Sequence, residues 1–596
     1  MEFEQKAEEK KMSMSKNIAR LAVTAGLTAA LSFGGVMAPV TMAFAECVPT
    51  VATENGKVFI TDPDTEYTDT SFKGIQIFKA TVTQNKDGNT WSGDKTLSDI
   101  DWASLEVQKA VIGAFTRADG TRVDGAPRTD TSAQAWAKYI NDHAGDKVGQ
   151  TAKVDADSTL DKIAAALEGS NLTWTKPSDS SKGNFESLDQ GYWLFVTDVP
   201  SKTGNTDAYT SPIFTIVGGS DVNVAPKKSV PNVTKAVKDD NNGSFVTDES
   251  KNVFEAPNRV ADSASDQLIE YQLAGTVASN INTYKEYSYT FTDVLPSTMV
   301  PELVNDKPVV KVKIGDKTVE PKYYGAQYNT AKNELVVSFG NLKKEIKSDK
   351  DEVITVSGSS KIYVNYKAKL DPTRVKADML GKGQKNTVTL TYSNNPHSTE
   401  TGTTVVHPAY DYTYGIDVTK VGDEETPKKL SGVVFKLQEK NGGTVEDEYI
   451  DANGVKQANA ENAKLTTTED GKISVIGLDE GTYVLTEVTP APGYDNSHGN
   501  KGITFTITRG TLSESDATVV NPAVAVTDGD NTGLVKAENS TDGMVHLTVT
   551  DKKGSGLPLT GLNGVTFTWI AGGAVLCIGV AHLIRSRKQA EESEQE

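Results

Sequence analysis

Short stretches in which apolar and polar side chains alternate recur along most of the chain, and Gly, Asn, Asp, Ser and Thr punctuate them. The alternation is clearest at 74–79, 287–293, 388–394, 416–420, 483–487 and 545–551. Successive side chains of a strand point to opposite faces, so a period of two buries one row and leaves the other in water. Many such stretches with turn residues between them predict antiparallel sandwiches. Two segments, 131–143 and 159–167, carry helical spacing instead, and both fall early in the chain. The predicted fold is therefore mainly β: tandem immunoglobulin-like sandwich domains, with some helix in the first.

Breaks in the pattern set the expected boundaries. Val224-Ala225-Pro226-Lys227-Lys228-Ser229-Val230-Pro231 reads as a linker, and His407-Pro408 follows the turn Asn394-Asn395-Pro396. The expected modules are 46–225, 226–408 and 409–553, each long enough to bury a core of its own.

Three inward rows end in ionisable residues. Lys420 lies on the face of Ile416 and Val418, Glu487 on that of Tyr483 and Leu485, and Asp551 on that of Val545, Leu547 and Val549. The middle module has a similar pair: Asp293 continues Tyr287, Tyr289 and Phe291, and Asn394 continues Val388, Leu390 and Tyr392, while Asn395 takes the opposite face. A lone charge is costly in a core, so burial drives a lysine toward its neutral amine and a carboxyl toward its protonated form. A neutral amine beside an activated carbonyl is what amide formation requires.

Composition narrows the function. A chain of 596 residues with net charge −19 is unsuited to nucleic acid. Its two cysteines, Cys47 and Cys577, stand far apart, and Cys577 lies within an apolar run. The six histidines have no zinc-ligand spacing, and neither GxSxG nor a P-loop occurs. Asp528, Asp530 and Asn531 read as a solvated turn rather than a calcium loop. No cofactor, metal or enzymatic activity is expected.

The ends carry targeting signals. Lys16 and Arg20 precede an apolar stretch ending at Ala43-Phe44-Ala45, so 1–45 is expected to be a secretory signal, with translation starting at Met1, Met12 or Met14. At the other end Leu557-Pro558-Leu559-Thr560-Gly561 precedes an apolar run over 562–584, then Arg585, Arg587 and Lys588. That run is long enough to cross a hydrocarbon core, and the cations would hold its far end in the cytoplasm.

The order over 554–596 resembles the LPxTG sorting signal of Gram-positive surface proteins. Such a signal is cut by sortase after the threonine, here Thr560. The segment from Tyr483 to Tyr494 resembles the E-box of pilins with Cna B-type domains, which implies that Glu487 catalyses a self-formed isopeptide bond between Lys420 and Asp551, an Asp where Asn is commoner. The middle module resembles the isopeptide-forming domain of fimbrial shaft subunits, which implies Lys235 and Asn394 as partners and Asp293 as catalyst. Val222-Asn223-Val224-Ala225-Pro226-Lys227 resembles the pilin motif, with Ala225 where Tyr is usual, and implies Lys227 as acceptor of the next subunit's Thr560, with Lys228 a competitor. The resemblance implies a cell-surface fimbria anchored in the wall. Its partners would be identical subunits, class C (pilin) and housekeeping sortases, minor pilins, peptidoglycan and a host ligand. A monomeric wall-anchored adhesin would carry the same tail and sandwiches.

Overall fold

The computed structural model describes residues 48–554 except 62–69, 124, 145–153, 179–181, 201–208, 227–228, 239–258, 496, 498, 510, 513–518, 521–522, 528–532 and 539–541. The signal segment, the sorting motif, the 562–584 run, Lys227, Lys228 and the Asp528 stretch therefore lie outside the described residues. Among the described residues no helix is long and apolar enough to cross a membrane.

The chain is mainly β, built as tandem sandwiches. In the first, a five-stranded sheet runs Val48–Val51, Ser71–Asp87, Gly191–Val199, Ile213–Val217, with Thr90–Trp102 paired on Ser71–Asp87. Three helices accompany it: α1 (Leu105–Ala114), α2 (Ala133–Ala144) and α3 (Thr159–Glu168). The last two match the expected helical segments, and α1 was not anticipated. The Ser104 and Ser158 hydroxyls accept from Val107 N and Asp161 N, the N-caps that start α1 and α3.

The middle module opens with β1 (Val233–Lys238), in a sheet ordered Lys317–Thr318, Val310–Ile314, Lys361–Leu370, Ile269–Thr276, β1. The facing sheet contains β2 (Tyr289–Val294), flanked by Glu334–Phe339 and by the later strand Gln384–Ser393. Lys361–Leu370 is β3, Gln384–Ser393 is β4, and β5 (His407–Tyr412) pairs antiparallel with β4. Here the expected boundary at 408 needs correction. His407 and Pro408 begin the last strand of the middle sheet, which continues to Tyr412.

Only Thr413 separates β5 from β6 (Tyr414–Gly422), the first strand of the third module. β6 lies between Lys472–Leu478 and β8 (Met544–Lys553), and its pairing with β8 is parallel, Ile416 opposite Val545 and Gly422 opposite Asp551. The facing sheet holds β7 (Gly481–Thr489) between Val434–Asn441 and Ile503–Thr508. All the alternating stretches read from the sequence lie wholly or largely in strands, and their apolar rows are buried.

Buried polar contacts join the modules. His397 of the middle module sits between Asp161 and Glu168 of α3, with Asp161 Oδ1 2.8 Å from Nε2. Burial opposes its charge, but the two carboxylates prevail and hold its pKa up at about 9. Between the middle and third modules, buried Asp262 accepts from Tyr414 Oη at 2.7 Å and pairs with Arg509 Nη2 at 2.7 Å.

Candidate cross-linking sites

In the third module the three inward rows converge. Lys420 comes from β6, Asp551 from the adjoining parallel strand β8, and Glu487 from β7 across the sandwich. Lys420 Nζ lies 2.8 Å from Glu487 Oε2 and bonds Asp551 Oδ1, and all three side chains are at most 1% exposed. Burial raises the Glu487 pKa to about 7 against the pull of Lys420, with Asp551 adding to the rise. Burial likewise raises Asp551, although Lys420 opposes it. Glu487 Oε1 and Asp551 Oδ2 are buried with no hydrogen-bond partner among the described residues. Two half-satisfied carboxyls around one amine favour sharing a proton over holding three charges in a dry core.

The middle module builds a second cluster from different positions. Lys235 on β1 bonds Asp293 Oδ2 of β2, which faces it across the sandwich, and both are fully buried. Lys235 Nζ also lies 3.0 Å from Tyr366 Oη on β3, and that hydroxyl donates to Asp293 Oδ1 at 3.0 Å. Burial lowers the Lys235 pKa to about 8 despite Asp293, and raises that of Asp293 despite Lys235. The rings of Tyr271 and Tyr366 flank the amine, with centroids 5.0 and 5.3 Å from Nζ.

The amide that completes this cluster is Asn386, not the expected Asn394. Asn386 Nδ2 donates to Tyr366 Oη at 2.9 Å, and its Oδ1 is buried with no partner among the described residues. Asn394 has the correct parity and is buried, but register removes it. β2 pairs with β4 so that Asp293 faces Val388 and Tyr289 faces Tyr392, which puts Asn386 diagonal to Asp293 and Asn394 beyond the far end of β4. Six residues of strand from Val388 amount to roughly 20 Å. Asn394 instead serves the joint with the first module, where its carbonyl accepts from Tyr209 N at 2.8 Å.

Sequence reasoning thus found five of the side chains that meet, Lys235, Asp293, Lys420, Glu487 and Asp551, and missed Asn386 and Tyr366. Asn386 continues the inward row of Val388 and Leu390 in the other direction, a signal that was available. Tyr366 continues that of Ile362 and Val364 and reads as ordinary core. Among the described residues no group of His, Cys, Asp and Glu could hold a metal ion.

Fold and sites together define a tandem β-sandwich protein with a buried lysine–carboxyl cluster in each of two modules. Residues 415–522 match a family model described as SpaA, a prealbumin-like fold domain. None of the curated proteins matches the chain. Among solved structures, the full-length major pilin SpaD from Corynebacterium diphtheriae is similar at 15% identity and TM-score 0.44, covering 84% of this chain and 98% of that one. The T6 backbone pilin of serotype M6 Streptococcus pyogenes is similar at 13% identity and TM-score 0.46, with coverage of 84% and 98%. BcpA, the major pilin subunit of Bacillus cereus, is similar at 16% identity and TM-score 0.35, with coverage of 64% and 91%. At these values none of the likenesses assigns a function by itself.

Proposed function

We propose that this chain is the shaft subunit of a covalently polymerised Gram-positive pilus, toughened by two self-formed isopeptide bonds. The observation that carries the reading is the burial of Lys420 between Glu487 and Asp551, on strands that begin and end one sandwich. In the reaction, the Lys420 amine attacks Cγ of protonated Asp551. Glu487 takes a proton from the attacking nitrogen and returns it to the departing oxygen, so that one water leaves. In the middle module Lys235 attacks Cγ of Asn386, Asp293 carries the protons, and ammonia leaves.

The sequence motifs at 1–45, around Lys227 and over 554–596 support export, polymerisation and sorting. The 1–45 segment would direct secretion, and a class C (pilin) sortase would join Thr560 of one subunit to Lys227 of the next. A housekeeping sortase would then attach the fibre to peptidoglycan, where it would support adhesion. Tension in such a fibre runs from Lys227 to Thr560. Both cross-linked modules lie in that path, and the first module, which precedes Lys227, hangs outside it. Noncovalent stability of ~5–15 kcal/mol per domain opens under sustained force, whereas an amide must first be broken.

Mass spectrometry tests the bonds and the polymer separately. Digests of the chain should contain branched peptides joining Lys420 to Asp551 with one water missing and Lys235 to Asn386 with one ammonia missing. Wall extracts should show a high-mass ladder that Lys227→Ala with Lys228→Ala abolishes. A ladder that survives the double substitution rejects the shaft assignment, and a full-mass ectodomain rejects both internal bonds.

A further inference from the structure

The Tyr366 hydroxyl touches every reacting group of the middle cluster. It lies 3.0 Å from Lys235 Nζ, donates to Asp293 Oδ1 at 3.0 Å, and accepts from Asn386 Nδ2 at 2.9 Å. One donor and two acceptor sites are all a hydroxyl has, and here all are used, which fixes Nδ2 rather than Oδ1 as the amide atom facing it. Among the described residues the third module shows no such intermediary: its amine contacts both carboxyls directly. The difference follows the leaving group. A protonated carboxyl can shed its oxygen as water, whereas an amide must expel nitrogen, a poor leaving group until it is protonated.

We propose that Tyr366 is a catalytic residue of the middle module, relaying a proton from Asp293 to the departing nitrogen of Asn386. The inference rests on the reading of Lys235 and Asn386 as partners in amide formation. In passing from ammonium to amide, the lysine nitrogen gives up two protons. Asp293 takes the first, and the resulting neutral amine attacks Asn386 Cγ. The arrival of that proton also reverses one hydrogen bond: a protonated Asp293 donates to Tyr366 Oη, freeing the phenolic proton to turn toward Nδ2. An amide nitrogen has no lone pair to receive it, but the nitrogen of the tetrahedral adduct does. Asp293 then passes its proton through Oη to Nδ2 and collects the second proton from the lysine nitrogen. The Cγ–Nδ2 bond breaks, ammonia leaves, and Asp293 ends protonated, with no outside reactant.

Tyr366→Phe in the full chain removes only the hydroxyl and keeps the ring stacked on Tyr271, whose centroid is 5.3 Å away at 13°. After a pulse of synthesis, formation of the Lys235–Asn386 branched peptide should slow by about a hundredfold, within the range for loss of a general acid. Water loss at Asp551 should proceed at the wild-type rate, showing that the third module folds. Adding Asn386→Asp to Tyr366→Phe should restore joining, now with loss of water, because an acid acceptor needs no nitrogen protonated. Unchanged ammonia loss in Tyr366→Phe overturns the relay and leaves the bond standing. A double variant as slow as the single one overturns it too, since it makes the hydroxyl merely structural. A wild-type chain that retains its ammonia overturns the underlying reading instead.

Discussion

In the third module Lys420 and Asp551 lie side by side in one sheet, on parallel strands β6 and β8, and the Glu487 carboxyl reaches across from β7. In the middle module the arrangement is turned around. Lys235 and Tyr366 stand on one sheet, while Asp293 and Asn386 stand together on the other. A bond in the third module ties first strand to last; a bond in the middle module staples sheet to sheet. The two clusters also differ in redundancy, since Lys420 has two carboxyl partners and Lys235 has one. Burying a lysine in a sandwich is thus compatible with more than one topology, provided an acid can take up its proton nearby.

The largest expected effect comes from removing that acid. Asp293→Ala leaves Lys235 buried with no carboxylate to pair with or to take its proton, a loss of about 3–5 kcal/mol on top of the missing bond. Glu487→Ala also stops bond formation, but Asp551 still pairs with Lys420, so the added destabilisation should be about 1–3 kcal/mol, the cost of one lost charged hydrogen bond. Thermal unfolding, with branched-peptide analysis of the same samples, checks both. Equal losses of stability would erase the distinction between one partner and two.

A second contrast concerns force. The proposed bond Lys420–Asp551 would leave almost nothing of the third module outside its covalent ring. A Lys235–Asn386 bond would leave residues 387–412 downstream of the ring, on the tension path, and held by β4–β5 pairing, by β4 pairing with β2 and by β5 pairing with 260–262. Single-molecule pulling should show no unfolding of the third module. The middle module should release this hairpin in a step of up to about 90 Å, the reach of an extended segment of that length. A middle module that never lengthens would count against Asn386, since a bond placed further along β4 would protect more of the chain.

That dependence on a single asparagine shows what was legible in the sequence and what was not. Lys420, Glu487, Asp551 and Asp293 could be assigned to buried faces because parity is a local property, set by the residues two positions away. Parity cannot tell Asn386 from Asn394, since both sit on the row of Val388, Leu390 and Tyr392. Only pairing with β2 does so, and that register arises from contacts remote in sequence. The boundary failed for a related reason. His407-Pro408 looks like a break, yet Pro408 is accommodated in β5 because the parallel neighbour Val260–Asp262 pairs only with 410–412, leaving the proline nitrogen no ladder partner on that side. α1 was legible in principle: Ser104 caps it, and Val107 and Val111 repeat at helical spacing.

The smallest expected effect separates the clusters again, through a glycine. The short turn Gly499–Lys501 covers Glu487, and a Cβ built on Gly499 would lie 2.6 Å from Glu487 Oε2 and 2.9 Å from its Cβ. Oε2 is the oxygen that bonds Lys420 at 2.8 Å, so the carboxyl cannot swing aside without breaking the contact that the proposed reaction would use. In Gly499→Ala the turn must lift or the carboxyl must shift by several tenths of an ångström, an overpacking cost of about 1–3 kcal/mol. Water loss at Asp551 should slow severalfold, while ammonia loss at Asn386, served by a different acid in a different module, should keep its rate. Slowing of both would mean that the substitution acts on folding of the whole chain. No change in either would mean that the turn yields freely, and that Glu487 is held in place by Lys420 and Asp551 without help from the strand connection above it.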